Sequence, residues 1–330
     1  MILPNVKIQP VDNRDKKGDN NASIYGQAYQ WGGWADPTGL SYEWESFDKF
    51  EEDIRVLAAH TPWNPVSVAR FGMGNMDHWL GISGGDGQTI VDKINNGWPE
   101  LLEKLERMLE QCELETPPVP SRAVLRRRKI HRSDHGDHLD MGRVWNGELD
   151  IAWTVPKREE HLTITTKRVT LAVDITSNGG ISSNDALWRA ALGMKLVDSL
   201  VKAGRILEIW VIDSSSHPWT DGTKGSLWAG WCVKRTADPL VMDRLCSMMG
   251  VGMMRVCGFL AMHADTDRPT RYGGALNYGL TATLKERQNN GELVLRIGEC
   301  YNKDAMIKEY NRAWMEVINH SEEVLGASAA

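Results

Sequence analysis

Apolar residues in the second half of the chain come in short unbroken runs that alternate with stretches of helical spacing. The run "RVTLAVDI" (168–175) predicts a buried strand. From Ser182 to Ala203 the spacing places Ala186, Leu187, Ala190, Ala191, Met194, Val197 and Val201 on one face of a long helix. "ILEIWVID" and "SLWAGWCVKR" predict two more strands, and "DPLVMDRLCSMM" predicts a helix opening with Asp238 and Pro239. "MMRVCGFLAMHA" and "ELVLRIGEC" read as further buried strands, and "DAMIKEYNRAWMEVINH" as a closing helix. The order β-α-β-β-α-β-β-α predicts an α/β fold with a mostly parallel sheet flanked by helices.

The first half has a different texture. Residues 1–40 are polar, glycine-rich and without period, which predicts an extended arm. "SFDKFEEDIRVLAAH" then puts Phe47, Phe50, Ile54, Leu57 and Ala58 on one helical face behind a Ser46 cap. Between Thr61 and Asn96 the Gly and Pro content predicts short strands or loops. "GWPELLEKLERMLEQ" starts a second helix, with Pro99 in its first turn and Glu100 near the positive end of the dipole. These pieces make a small α+β unit over residues 41–115. "TPPVPS" reads as a stiff linker opening a charged arm over 116–165. That arm, with Trp145 and Trp153 spaced along it as candidate plugs, is expected to pack on a sheet domain at 166–330.

Composition narrows the functional classes. A chain of 330 residues with 42% hydrophobic content buries real cores. A net charge of -6 argues against a protein that coats nucleic acid or anionic membrane. Five widely spaced cysteines without a CxxC pair suggest reduced thiols, neither a disulfide framework nor a zinc site. The first residues lack the apolar run of a signal peptide and no stretch has the length of a membrane span, so the expectation is an intracellular protein. The 14 tryptophans, many beside glycine, read as packing anchors.

The chemistry concentrates at Asp174, which closes the first strand of the sheet half, where an open parallel sheet forms its crevice. Asp174-Ile175-Thr176-Ser177-Asn178 resembles the D-x-S-x-S metal-ion-dependent adhesion motif of von Willebrand factor A domains, with Thr176 and Asn178 in place of the serines. The sheet half as a whole resembles that family. The resemblance implies a Rossmann-type fold and a Mg²⁺ held by Asp174, Thr176 and Asn178, with later ligands at Thr236 beside Asp238 and at Asp265 or Asp267. One carboxylate, hydroxyls and waters supply the oxygen octahedron Mg²⁺ requires. Asn178 departs from the compact hydroxyl of the pattern, which makes the motif degenerate; the competing reading is a carboxylate that caps the following turn. A broader resemblance, carried by "NNGWPELLEKL", "GDHLDMGRVWNGELDIAW" and "VTLAVDITSNGGISSNDALWRAALGMKLVDSL", is to a group of bacteriophage-encoded proteins of unassigned function. It implies a viral or prophage source and supplies no activity.

Other constellations carry less. "GISGG" matches G-x-S-x-G, but too little chain precedes Ser83 to build the sheet beneath a nucleophile elbow. His131, Asp134, His135, Asp137, His138 and Asp140 can all bind a metal, yet they follow four consecutive cations, Arg126 to Lys129, which repel a dication. That basic run is in turn neutralised locally by the aspartates after it. The expected function is therefore a phage-encoded protein-binding or adaptor protein in the host cytoplasm. Its partner would meet a crest of Asp174, Ser177, Asp213 and Asp238, and by resemblance would be an AAA-type ATPase or virion proteins, with neither nucleic acid nor membrane involved. Two alternatives stand: a metal-dependent hydrolase or nuclease using the strand-end Asp174 and Asp213, and a structural protein of the virion.

Overall fold

The computed structural model describes residues 3–13, 38–60, 93, 95–119, 129–133, 138–157, 168–177, 181–218, 224–261, 279–298 and 300–327. In chain order the strands are β1 (Lys7–Asp12), β2 (Thr38–Trp44), β3 (Lys129–Ser133), β4 (His138–Leu139), β5 (Trp153–Lys157), β6 (Arg168–Asp174), β7 (Ile206–Pro218), β8 (Lys224–Lys234) and β9 (Val294–Ile297). Among them run α1 (Phe47–His60), α2 (Pro99–Glu110), α3 (Met141–Trp145), α4 (Ser183–Lys202), α5 (Met242–Met249), α6 (Ala282–Asn289) and α7 (Lys303–Ala327).

Six strands form one sheet of order β1-β2-β8-β7-β6-β9. Pairings β2 with β8, β6 with β7 and β6 with β9 are parallel; β1 with β2 and β7 with β8 are antiparallel. The protein is thus α/β with a mostly parallel sheet, as its apolar runs predict. Val169 to Val173 are buried on both faces of β6, which requires helices on both sides. The long helix α4 begins where expected: the Ser182 hydroxyl accepts the Asp185 N–H at 3.1 Å. Gly193 lets α4 come close to α5, since a Cβ there would stand 2.5 Å from the Met249 sulfur. Six of the seven apolar positions read for this helix are buried, whereas Val201, near its end, is 47% exposed.

One compact unit comprises Met1–Val119 with Lys167–His320. The expected small unit at 41–115 is not separate from the sheet half; β2, α1 and α2 belong to the same body. The reason lies in side chains that have no other cover. Phe50 of α1 stacks on Trp231 of β8, centroids 4.2 Å apart, and meets Trp44 edge-on at 5.1 Å. The expected arm likewise contains a strand, β1, at the edge of the sheet. Asn13 beyond it exchanges two hydrogen bonds with the backbone of Leu280, at 2.8 and 3.0 Å. "TPPVPS" does not act as a bare linker at its start: Thr116 and Tyr310 hydroxyls are 2.7 Å apart, and Trp314 Nε1 donates to the Pro117 carbonyl at 2.9 Å.

Two further expectations change. "MMRVCGFLAMHA" is helical over Val251–Ala261, with a π turn at Met254–Gly258, where a strand was read. A short run that is apolar apart from Arg255 and His263 has the same appearance in a buried helix and a buried strand. The helix expected from Asp238 begins at Met242 instead, after a loop that Asp238 itself ties by accepting the Arg235 N–H at 2.8 Å.

The second compact unit, Pro120–Thr166 with Ser321–Ala330, contains the three-stranded sheet β3-β5-β4 and α3. Asp140 caps α3 by accepting the Gly142 N–H at 3.1 Å. Trp145 is 82% exposed and Trp153 is half-buried. Among the described residues no helix is long and apolar enough to cross a membrane.

Two outcomes follow from the shared core. A chain truncated to begin at Pro156, which the sequence pattern alone would let fold, will be insoluble or molten, with no near-ultraviolet tryptophan signal. In the full chain, Phe50→Ala will lower unfolding free energy by about 3–5 kcal/mol in a urea titration, because the cavity lies between two indoles that cannot collapse into it.

Candidate functional site

Strand β6 delivers Asp174 to its carboxyl end, and the parallel register sets Ile212 of β7 beside it. Asp213 therefore follows one residue further along the neighbouring strand, and two carboxyls share one end of the sheet. Both are buried, Asp174 at 1% exposure and Asp213 at 0%. Strand β9 flanks β6 on the other side and pairs Arg296 with Ala172, two residues before Asp174. The arginine side chain spans that distance and forms an ion pair with Asp174 Oδ2.

The remaining groups are equally engaged. Asp174 Oδ1 accepts the Thr176 N–H at 2.9 Å, closing a turn at the strand end. Thr176 Oγ1 accepts the Ser214 N–H at 2.8 Å and lies 3.1 Å from the Ser214 hydroxyl. Arg189 of α4 is 1% exposed and donates to the carbonyls of Ile175 and Thr176 at 2.5 and 2.6 Å. Tyr301 adds its hydroxyl to the Thr176 carbonyl at 3.3 Å. Ser177 is buried, its hydroxyl 4.0 Å from the Met254 sulfur.

The Asp213 carboxyl is engaged through one oxygen. Its Oδ1 accepts the N–H of Ser214 at 2.9 Å, while Oδ2 has no hydrogen-bond partner among the described residues. Gly258 of the π turn closes over that oxygen; a Cβ there would lie 2.5 Å from it. Burial first, then the neighbouring Asp174 charge, push the Asp213 carboxyl up to about 7.

These residues do not fit Mg²⁺. An octahedral ion needs free oxygens, but one oxygen of Asp174 faces a guanidinium, the other holds a backbone N–H, and the Thr176 hydroxyl is committed to Ser214. Among the described residues no three His, Cys, Asp or Glu side chains are grouped to hold a metal ion. Asn178 and Asp265, like Asp267, lie outside the described residues. Thr236 cannot join Asp174, because β8 runs antiparallel to β7 and carries its carboxyl end the other way. From Gly230, which faces Ile212, to Thr236 is six residues, roughly 20 Å at strand rise. Asp238 lies at that opposite end too, so the expected crest of Asp174, Ser177, Asp213 and Asp238 is not one surface, and the first three are buried.

Of the other sequence candidates, Ser83, Arg126 to Arg128, Asp134, His135 and Asp137 lie outside the described residues, and Asp140 serves as a helix cap. All five cysteines are free. Sequence reading missed Arg189 and Arg296. A signal existed for both: an arginine inside "ALWRAALGM" or "LVLRI" is a cation in an apolar run, and a buried cation needs acceptors.

The chain belongs to the family described as a domain of unknown function (DUF7192), whose model matches residues 36–323. No curated protein and no solved structure matches it.

Arg296→Met will destabilise the protein by about 3–5 kcal/mol, since it leaves Asp174 buried without its counter-charge, and adding Asp174→Asn will restore part of the loss. Asp213 gives a pH prediction. Its folded pKa lies above the unfolded value, so its contribution is full below about pH 4 and is lost as pH rises through about 7. Urea titrations across this range will show wild-type stability falling by an amount on the order of 4 kcal/mol at the extreme. Asp213→Asn will flatten that decline.

Proposed function

We propose that this member of the DUF7192 family is a non-enzymatic protein-binding or adaptor protein of a bacteriophage, built on a von Willebrand factor A-like sheet that works without metal. The observation that carries the binding role is an exposed apolar set in the smaller unit. Trp145 is 82% exposed, Leu149 61%, Met141 49% and Leu139 40%, all within a segment of eleven residues. Four large exposed apolar side chains so close in sequence support a surface that another protein covers. The net charge of -6 directs that surface toward protein in preference to nucleic acid.

The fold reading is supported by the strand order β8-β7-β6-β9, with β8 reversed and the long helix α4 following the strand that ends in Asp174. The metal-free reading is supported by Arg296, whose tethered cation stands where a divalent ion would need the carboxylate. The same ion pair and the full burial of Asp213 speak against a hydrolase or nuclease acting through the two strand-end aspartates. A protein working in the host cytoplasm beside an AAA-type ATPase, or one assembled with virion proteins, is consistent with this arrangement.

The test is capture of the tagged full chain from infected cells, in parallel with a Trp145→Ser, Leu149→Ser double variant of unchanged melting temperature. The expected result is a specific protein present with the wild type and lost with the variant: an ATPase identifies an adaptor, capsid or tail proteins a virion component. A partner set identical for both proteins overturns the assignment of this surface. Melting temperature will be the same in millimolar Mg²⁺ and in chelator; a Mg²⁺-dependent rise that disappears in Asp174→Ala would overturn the metal-free reading through the linkage of binding to stability.

A further inference from the structure

Strands β2 and β8 are parallel neighbours, and each leads into a helix: β2 into α1 through Glu45 and Ser46, β8 into α5 through residues 235–241. Because β8 runs against β7, the carboxyl ends of this pair lie at the end of the sheet away from Asp174. In open α/β sheets, ligands bind outside the carboxyl ends of strands, where helix amino termini also point. A cavity of about 210 Å³ opens at this place, between the first turn of α1, the last residues of β8 and the start of α5. No residue of the sequence-predicted sites reaches it except Asp238, at its rim.

We propose that this cavity binds a small organic anion: a single anionic head group carried on a compact apolar body. The apolar part is set by Phe47, Leu245 and Met248. A cavity of about 150 Å³ takes one benzene ring, so the volume here suits one ring or a short alkyl group together with its head group. The charge is set by Lys234, Arg235 and Arg244, which line the same space. Arg235 is taken by Asp238, its Nε 3.4 Å from the carboxylate. The other two retain capacity. Lys234 Nζ donates to the carbonyls of Leu207 and Arg235 at 3.1 and 3.0 Å, two of the three bonds an ammonium can make. Arg244 Nε is buried and has no hydrogen-bond partner among the described residues. Its terminal nitrogen stands 3.8 Å from Asp48, whose side chain is 89% exposed and free to swing into water. The guanidinium carbon lies 5.5 Å from the Phe47 ring centroid, within cation–π range.

The start of α5 borders the same space; its cap position, Val241, offers no side-chain acceptor, and within the first turn the Asp243 carboxylate takes the Arg244 N–H at 2.8 Å. Burial, and then Glu208, push the Cys232 thiol at the cavity wall up to about 12, so it is held neutral and supplies no thiolate. Cys232 therefore offers no thiolate nucleophile to a molecule in the cavity.

The experiment is a titration of the full chain with phenyl phosphate, with benzyl alcohol as the neutral analogue, followed by calorimetry and by tryptophan fluorescence. The expected result is saturable binding of phenyl phosphate at least about tenfold tighter than that of benzyl alcohol, weakening as salt rises from low to physiological concentration. Lys234→Met and Arg244→Met, each with an intact near-ultraviolet spectrum, will weaken phenyl phosphate about tenfold or more and leave benzyl alcohol little changed. Phenyl phosphate bound no better than the alcohol, or bound equally by both variants, overturns the proposal. If either variant fails to fold, the comparison of the two ligands and the salt dependence on the wild-type chain decide the question alone.

Discussion

The reversal of direction between β7 and β8 is the constraint from which the rest of the molecule follows. The two strands pair antiparallel over their length, with Ile209 against Lys234 and Pro218 against Lys224. β8 consequently presents its free edge to whatever can pair with it in its own direction, and that partner is β2, brought from near the start of the chain. Once β2 is in place, α1 must lie over the sheet, and the indoles of Trp44 and Trp231 find Phe50. The join is polar as well as apolar. Glu43 of β2 accepts the Thr283 N–H at 2.9 Å, and Ser41 accepts that of Ala282 at 3.1 Å, so an early strand caps the late helix α6. Contacts separated by some 240 residues in sequence hold one layer together.

At the Asp174 end, charge is balanced inside the chain. Removing ions from water costs several kcal/mol each, which a buried pair recovers only with good geometry and satisfied neighbours. Arg296 meets that requirement for Asp174. Arg189 is spent on the carbonyls of Ile175 and Thr176, the backbone groups a bound ligand would otherwise have approached. Asp213 has no ion pair among the described residues, and burial together with the Asp174 charge outweighs the pull of Arg189, so its carboxyl takes up a proton more readily. A metal-bound site responds to ion concentration; a site closed by a covalently tethered arginine does not.

Much of the fold was legible because it obeyed period. The runs at β6, β7 and β8 and the spacing in α1, α2 and α4 were each long enough for one pattern to dominate. Met253 to Ala261 was not legible, since every position there except Arg255 is apolar or small and no period survives. Strands β1 and β2 escaped for a different reason: "KIQPVD" and "TGLSYEW" are short, carry proline or glycine, and become strands through pairing with distant segments. The site was half legible. The motif located Asp174 and Thr176 correctly at a strand end, and the turn-cap alternative described the Thr176 N–H bond. The motif carried no information about what β9 places alongside. Arg296 is decided by sheet order, and sheet order is not written in local sequence. The same ignorance put Thr236 and Asp238 beside Asp174, because a parallel β8 would have carried them there.

That last error shows where function can reside in such a sheet. A uniformly parallel sheet has one set of carboxyl ends and so one natural crevice. Reversing β8 and seating β2 beside it creates a second set at the other end, with its own pair of helix amino termini. At the first end, arginine side chains and backbone donors engage Asp174 and its turn, and Gly258 closes directly on Asp213 Oδ2, which has no hydrogen-bond partner among the described residues. At the second, the Arg244 Nε donor is buried at the cavity and has no partner among the described residues. Buried donors without acceptors are rare in native proteins because each costs roughly 1–3 kcal/mol. Both ends of the sheet thus keep an unpaired buried group, but at the first Gly258 closes over it, whereas at the second it borders an open cavity that a ligand can reach.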